Sequence, residues 1–297
     1  MDRQPAASFA VDGDARSIVV KPTKWFSDHN GLPRLCYSGT AFPKTVRMRV
    51  ISHGLTDAGC CRSENQDRIF FDDALGLYIV CDGLGGRRRG GFAAELAVGA
   101  VRQYIDSSRD PMEVTWPYGY NLHLSLPANR LWTGVKLANR QIWRQSETSL
   151  EHLGMGTTVS AVLIQGETAA VANIGDSRVY LFRDSQLQQL TVDDTLGGAG
   201  SDSSASMVRH ILTRAAGSQE DVEVGLQECR LLENDKLLLC SDGLHGCVPS
   251  AQIAAIFANS GEPAVIALAL VGEAQRAGAP DNISVIVLAC AGSEPSN

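Results

Sequence analysis

The 297-residue chain lacks the marks of several protein classes. No stretch approaches the roughly 20 apolar residues of a spanning helix. The opening segment MDRQPAASFAVDGDARS has acidic residues and no apolar core of signal-peptide length. Eight cysteines are present, none at CxxC or other zinc-finger spacing. Cys81 and Cys240 lie inside apolar runs, where cysteine packs as a small hydrophobe. That usage fits a reducing compartment better than a disulfide scaffold, and the expected location is cytoplasmic. Excess positive charge is missing too: the formal net charge is −7, which argues against general attraction to nucleic acid or to an anionic membrane. Arg87, Arg88 and Arg89 form the one local basic cluster, readable either as a solvated turn or as a substrate-facing patch. No GxSxG element or Walker loop occurs, no cysteine is read as a nucleophile, and no internal repeat is found.

The chain does have enough apolar sequence for a large core: 44% hydrophobic against 20% charged residues. Residues 1–46 show no clear period and read as an amino-terminal extension, 47–292 as the folded domain and 293–297 as a tail. Strand-like runs come first (VRMRVISHGLT, DRIFFDD, GLYIVCD). GFAAELAVGAVRQYI then changes to helical spacing, with Phe92, Leu96, Gly99 or Ala100, and Gln103 or Tyr104 near one stripe. A second helix over 128–146 puts Leu131, Val135, Ala138 and Ile142 on one face. TTVSAVLIQ, TAAVANIG, SRVYLFR and QLQQLT read as an antiparallel meander, followed by the Gly/Ser-rich stretch 197–206. DKLLLCSD is a strand, two helices follow (the first opened by Pro249), and ISVIVLA closes as a buried strand. Helices grouped among antiparallel strands predict an α+β layered domain.

Four aspartates stand at the mouths of apolar runs: Asp67, Asp82, Asp242 and Asp281. Carboxylates beside buried strands are costly unless something positive meets them, and four together would raise one another's pKa. Two divalent cations would cancel that charge, and Mg²⁺ or Mn²⁺ prefers such hard oxygen ligands. Each Asp-Gly pair alone would read as a turn. Together they suggest a carboxylate-rich binuclear metal centre.

The motifs around these aspartates resemble one family. DGLGG (82–86), GMGTT (154–158), IGDSR (174–178), SDGL (241–244) and the pair Asp281–Asn282 follow the order found in type 2C metal-dependent serine/threonine protein phosphatases, in their bacterial form. LTRAAG (212–217) and Arg62, five residues before Asp67, fit as well. The resemblance runs from about Ile51 to Cys290.

The resemblance implies a four-layer α/β/β/α sandwich of two antiparallel sheets flanked by helices, with metals at one end. It implies two Mn²⁺ or Mg²⁺ ions held by Asp67, Asp82, the Gly83 carbonyl, Asp242 and Asp281, with Asp82 as the shared ligand. Arg62 would grip the phosphate, whose hydrolysis by a metal-bound hydroxide would need no phosphoenzyme. The implied substrate is a phosphoserine or phosphothreonine protein, the implied partner an opposing serine/threonine kinase. Asp176, Arg178, Thr157, Thr158 and Asn282 read as structural, and His245 as a support or surface residue. Three positions depart from the family pattern. Gln66 replaces a common glutamate and Leu84 a histidine, while Leu153 stands where an aspartate would serve a third metal, so a third ion is not expected. The alternative is a catalytically weak module of the same fold that binds phosphoproteins.

Overall fold

The structure is a computed structural model that describes residues 24–27, 33–36, 46–85, 89–110, 114–148, 150–197, 211–259 and 261–295. The chain divides into two compact units, Met1–Lys44 and Thr45–Asn297. In the first, β1 (Lys24–Ser27) and β2 (Pro33–Cys36) form an antiparallel pair with Trp25 opposite Leu35.

The second unit begins with β3 (Val46–Asp57), β4 (Arg68–Asp72), β5 (Leu77–Cys81) and the two-residue β6 (Gly83–Leu84). Helices α1 (Arg89–Ser107) and α2 (Leu126–Thr148) follow, then β7 (Gly156–Thr157), β8 (Val159–Gln165), β9 (Thr168–Ile174), β10 (Arg178–Arg183) and β11 (Gln186–Gln189). The remainder is β12 (Gly225–Arg230), β13 (Lys236–Cys240), α3 (Asp242–His245), α4 (Ser250–Asn259), α5 (Pro263–Arg276) and β14 (Ile283–Pro295). Among the described residues these strands make two five-stranded antiparallel sheets, ordered β12-β9-β8-β5-β4 and β11-β10-β13-β14-β3, while β6 pairs with β7.

Side-chain alternation along the strands creates the layers. Leu77, Ile79 and Cys81 of β5 face α1 and α2, and Tyr78 and Val80 face the other sheet. In β13, Leu237 and Leu239 point between the sheets while Leu238 and Cys240 meet α4 and α5. β14 repeats this, with Val285 and Val287 toward the helices and Ile286 and Leu288 toward the opposing sheet. Three cores therefore separate four layers, the expected α/β/β/α sandwich. Because both faces of these strands are covered, they read as continuous apolar runs.

Three expectations needed revision. The four strands β8–β11 are not one meander: β8 and β9 belong to one sheet, β10 and β11 to the other. The chain crosses at Gly175–Ser177, where Gly175 takes φ +96° and an added Cβ would lie 2.7 Å from Thr158 Cγ2. The buried stripe of α1 is Ala93, Ala94, Ala97, Val101, Tyr104 and Ile105, with Gly99 and Gln103 exposed. Alanines on that face let α2 approach closely, with Leu131, Val135, Ala138 and Ile142 fully buried as expected. Strand β12 was not anticipated, because this edge strand alternates exposed and half-buried residues and carries Glu228 and Arg230. Residues 198–206 of the Gly/Ser-rich segment and the four that follow, together with Gly86, Arg87 and Arg88, lie outside the described residues.

Leu239 sits between the sheets with no exposed surface. Leu239→Ala should cost about 2–5 kcal/mol of stability in urea unfolding; a loss below about 1 kcal/mol would contradict the packing of the two sheets.

Candidate metal and phosphate site

All four predicted aspartates lie at one end of the sandwich, where β3, β5, β8 and β13 meet their loops. Asp67 precedes β4 and is only 2% exposed. Its Oδ2 accepts a hydrogen bond from Ser241 Oγ (2.7 Å), while Oδ1 is buried with no hydrogen-bond partner. Burial pushes its carboxyl up to about 6 against the opposing Ser241 hydroxyl, and the Asp242 and Asp281 charges add to the rise. Asp82 leaves β5 and is held well above the usual carboxylate range, first by burial and then by the charges of Asp67, Asp242, Asp281 and Asp176. One acid thus senses four others.

The backbone of Asp82 is clamped by the GMGTT segment. Its N–H donates to Thr158 Oγ1 (2.9 Å), and its carbonyl accepts from Thr158 N (2.8 Å) and Thr157 Oγ1 (2.8 Å). Thr158 Oγ1 is in turn 2.7 Å from Ser177 Oγ, in the crossover between the sheets. Gly83 packs backbone to backbone against Gly90 at the start of α1; a Cβ on either would fall 2.2–2.3 Å from a carbonyl carbon of the other. Gln66 is part of the same contact: its carbonyl oxygen would lie 2.7 Å from a Cβ on Gly83 and its Oε1 2.5 Å from one on Gly90. Gly85, at φ +122°, carries the chain onward.

Asp242 opens the short helix α3, with Ser241 as its N-cap residue, and its Oδ1 is buried. Gly243 has no room for a side chain, since a Cβ would lie 2.0 Å from the Asn282 carbonyl oxygen. Asn282 has the structural role read from the sequence. Its Oδ1 accepts from Gln66 N (2.9 Å), and its Nδ2 donates to the carbonyls of Ala58 (2.9 Å) and Glu64 (3.0 Å). It therefore fixes the loop that carries Arg62.

Arg62 is forked onto Asp281: Nε donates to Oδ1 (2.8 Å) and Nη2 to Oδ2 (2.6 Å). Bidentate pairing raises the guanidinium pKa further, with the more distant Asp242 and Asp82 contributing. Among the described residues no three His, Cys, Asp or Glu side chains already converge as a metal cage. The donor set nonetheless fits a hard divalent cation: it is all oxygen, it is strongly anionic, and the buried Asp67 Oδ1 lacks a donor. Asp281 Oδ1 accepts from both Arg62 Nε and Asn282 N (2.8 Å), whereas Oδ2 accepts from Arg62 and keeps a lone pair that a cation could use.

A fifth carboxylate was read from the sequence only as structural. Asp176 is 7% exposed and is pushed up to about 7 by burial, then by Asp242 and Asp193. Its neighbour Arg178 is the structural member of the motif, gripping Asp193 through Nε (3.0 Å) and Nη2 (2.6 Å). His245 Nε2 lies 2.9 Å from the Asp176 carbonyl oxygen, a contact that requires the Nε2–H tautomer. Asp176 follows a glycine at a crossover rather than ending an apolar run, so its place beside the other acids had no local signal. Leu153 is 54% exposed in the turn 151–154, and its carbonyl accepts from Arg89 Nη1 (2.9 Å). Five residues separate Cys81 from Arg87 in the sequence, the spacing of a cysteine-phosphatase loop. Cys81, however, is fully buried and burial drives its thiol pKa upward, so it cannot serve as the nucleophile.

This α/β/β/α sandwich gathers oxygen donors suited to a divalent cation at one end, and comparison with known proteins identifies the family. The model of the protein phosphatase 2C family matches residues 62–265. The serine/threonine phosphatase stp of Listeria welshimeri is 32% identical over 246 residues, spanning 78% of this chain and 93% of that protein. PstP of Mycobacterium tuberculosis is 32% identical over 239 residues, or 78% of this chain and 43% of that longer protein. A crystal structure of the PstP catalytic domain with 2 manganese ions superposes with a TM-score of 0.70 at 30% identity, covering 82% of this chain and 99% of that one. The chain belongs to the protein phosphatase 2C family, and it is an enzyme, a protein phosphatase.

The raised carboxyls predict how the metal-free protein responds to pH. Asp67 and Asp176 bind protons more tightly folded than unfolded, so folding is favoured below the unfolded value near 3.8 and that advantage is lost as pH rises through about 6 to 7. In chelator, the melting temperature should fall between pH 5 and pH 7.5. Asp176→Asn should flatten that fall, and saturating Mn²⁺ should reverse it; a melting temperature that rises equally with and without metal would show that these acids are not in conflict.

Proposed function

We propose that this protein hydrolyses phosphoserine and phosphothreonine in other proteins at a centre of two Mn²⁺ or Mg²⁺ ions. The observation that carries the reading is Asp82, clamped at its backbone by Thr157 and Thr158 while its side chain feels four other carboxylates. Asp82 would bridge the ions, Asp242, Asp281 and Asp67 would complete their shells, and the Gly83 carbonyl would add a neutral oxygen. Such ions supply a water of lowered pKa and neutralise phosphate charge.

The protein's own residues do the rest. Arg62 offers a planar fork already holding a two-oxygen anion, Asp281, and a phosphate presents the same geometry. Leu84 supplies no proton, so protonation of the leaving serine or threonine oxygen would fall to solvent ordered by the site. The relatives named above are serine/threonine phosphatases, which supports phosphoproteins as substrates and a serine/threonine kinase as the opposing partner. We assign catalysis to residues 47–292 and a cytoplasmic location, on the free thiols of Cys60, Cys61, Cys81, Cys229, Cys240, Cys247 and Cys290. Among the described residues no helix is long and apolar enough to cross a membrane.

Asp82→Asn and Asp242→Asn should each reduce hydrolysis of a phosphopeptide to near background while the far-ultraviolet spectrum stays native. A chelator should silence the wild type and Mn²⁺ restore it. Near wild-type turnover in either variant, or turnover indifferent to chelation, would sink the assignment. A native fold inert even in Mn²⁺ would point to the phosphoprotein-binding alternative.

Arg62→Ala should act mainly on KM. Loss of a charge-assisted contact is worth roughly 1.5–3 kcal/mol, or about 10- to 150-fold in a binding constant. Unchanged KM and kcat would return Arg62 to the role of an ordinary surface arginine.

A further inference from the structure

At the end of the sandwich opposite Asp82 lies a cavity of about 520 Å³. Its walls are the β4–β5 turn, the β8–β9 turn, the start of β3 and the beginning of α2. The five-residue strand β5 separates it from the aspartates by roughly 15 Å, at about 3.3 Å per residue. The two turns are fastened together by the Ile164 N–H donating to the Gly76 carbonyl (2.8 Å), so the cavity has a rigid floor.

Arg130 faces this cavity and is only 6% exposed. Its Nε donates to Ser108 Oγ (3.0 Å) and its Nη2 to the Ile105 carbonyl (2.6 Å), capping the last turn of α1. Among the described residues nothing accepts from its Nη1, and no carboxylate pairs with it. Burial lowers the guanidinium pKa, and the nearby charge of Arg109 lowers it further. Arg109 also lines the cavity, its Nε held by Asp106 (2.9 Å) at the surface. Leu126 and Pro127 bring the positive end of the 23-residue helix α2 to the same wall. The one acid on the lining, Asp73, is engaged by Ser52 Oγ (2.6 Å), Ser52 N (3.2 Å) and Tyr78 OH (3.0 Å). Met48, Val50, Leu75 and Leu163 contribute apolar wall, and Gln165 and Thr168 contribute polar groups.

We propose that this cavity binds a small organic anion, its acidic head against Arg130 and Arg109 and its apolar body against Met48, Val50 and Leu163. The Arg130 guanidinium is mostly buried, no carboxylate pairs with it among the described residues, and its Nη1 reaches the solvent of the cavity, where an anion would meet a charged donor. The volume lies in the range of small-molecule sites. A single negative head suits the site better than a polyanion, because Asp73 opposes further charge.

Octanoate and its neutral counterpart octanamide are suitable probes, titrated into the full-length metal-loaded protein while backbone amide resonances are followed. Octanoate should shift Gly76, Ile164 and Gly166 saturably and bind more tightly than octanamide. Arg130→Gln should weaken octanoate about tenfold, the scale of one charge-assisted bond, and leave octanamide unchanged. Because Arg130 also caps α1, Arg109→Gln at the exposed rim provides a second variant, expected to weaken octanoate about threefold, as for a partly screened charge. The proposal fails if octanoate shifts none of these amides at millimolar concentration or if octanamide binds equally well. It also fails if Arg109→Gln, and Arg130→Gln where it folds, bind octanoate as the wild type does.

Discussion

Repulsion among carboxylates gathered at one end of the sandwich is the constraint on which the rest of the site depends. Asp67, Asp82 and Asp176 are all held above the normal carboxylate range, chiefly by burial and then by one another. A fold that collects such charge must hold it with groups that do not neutralise it, or no cation would be needed. Neutral donors do most of the holding: Ser241 on Asp67, Thr157 and Thr158 on the Asp82 backbone, and Asn282 on the adjoining loop. Arg62 is the exception, and it spends its charge on the half-exposed Asp281 at the rim.

The sequence motifs divide along this line. DGLGG, SDGL and GDSR deliver acids, GDSR through Asp176, whereas GMGTT and Asn282 position them. The glycines in these motifs serve packing as much as turning. Gly83 and Gly90 bring α1 against β6, and Gly243 brings α3 against Asn282. A single methyl at any of these contacts would have to displace backbone, which side-chain repacking cannot relieve.

Much of this was legible in the chain itself. Aspartates flanking apolar runs are conspicuous because burial and charge conflict there, and the structure brings Asp67, Asp242 and Asp281 within electrostatic reach of Asp82. The two helix pairs and the central strands were legible because strong periodicity or continuous apolarity marks covered elements. What the sequence hid is instructive. The crossing between sheets at Gly175–Ser177 leaves the strand pattern of β9 and β10 unchanged, since a hairpin and a crossover both need only a short polar break. β12 is an edge strand with one face packed, and its charged residues weaken the strand signal. Asp176 was visible as a residue but not as a neighbour of Asp242, because that proximity exists only once β10 pairs with β13.

The Arg62–Asp281 pair links the two halves of the chemistry. Arg62 and Asp281, proposed as phosphate grip and metal ligand, are paired with each other through two hydrogen bonds. Drawing Asp281 toward a cation would leave a charged fork facing the mouth of the site, aimed by a loop that Asn282 keeps in place through Ala58, Glu64 and Gln66. An anion with two oxygens would then restore the lost contact at little reorganisation cost, because the fork is already planar and oriented. The ion pair would then act as a placeholder that keeps the exposed Arg62 ordered and would exchange for cation and phosphate contacts.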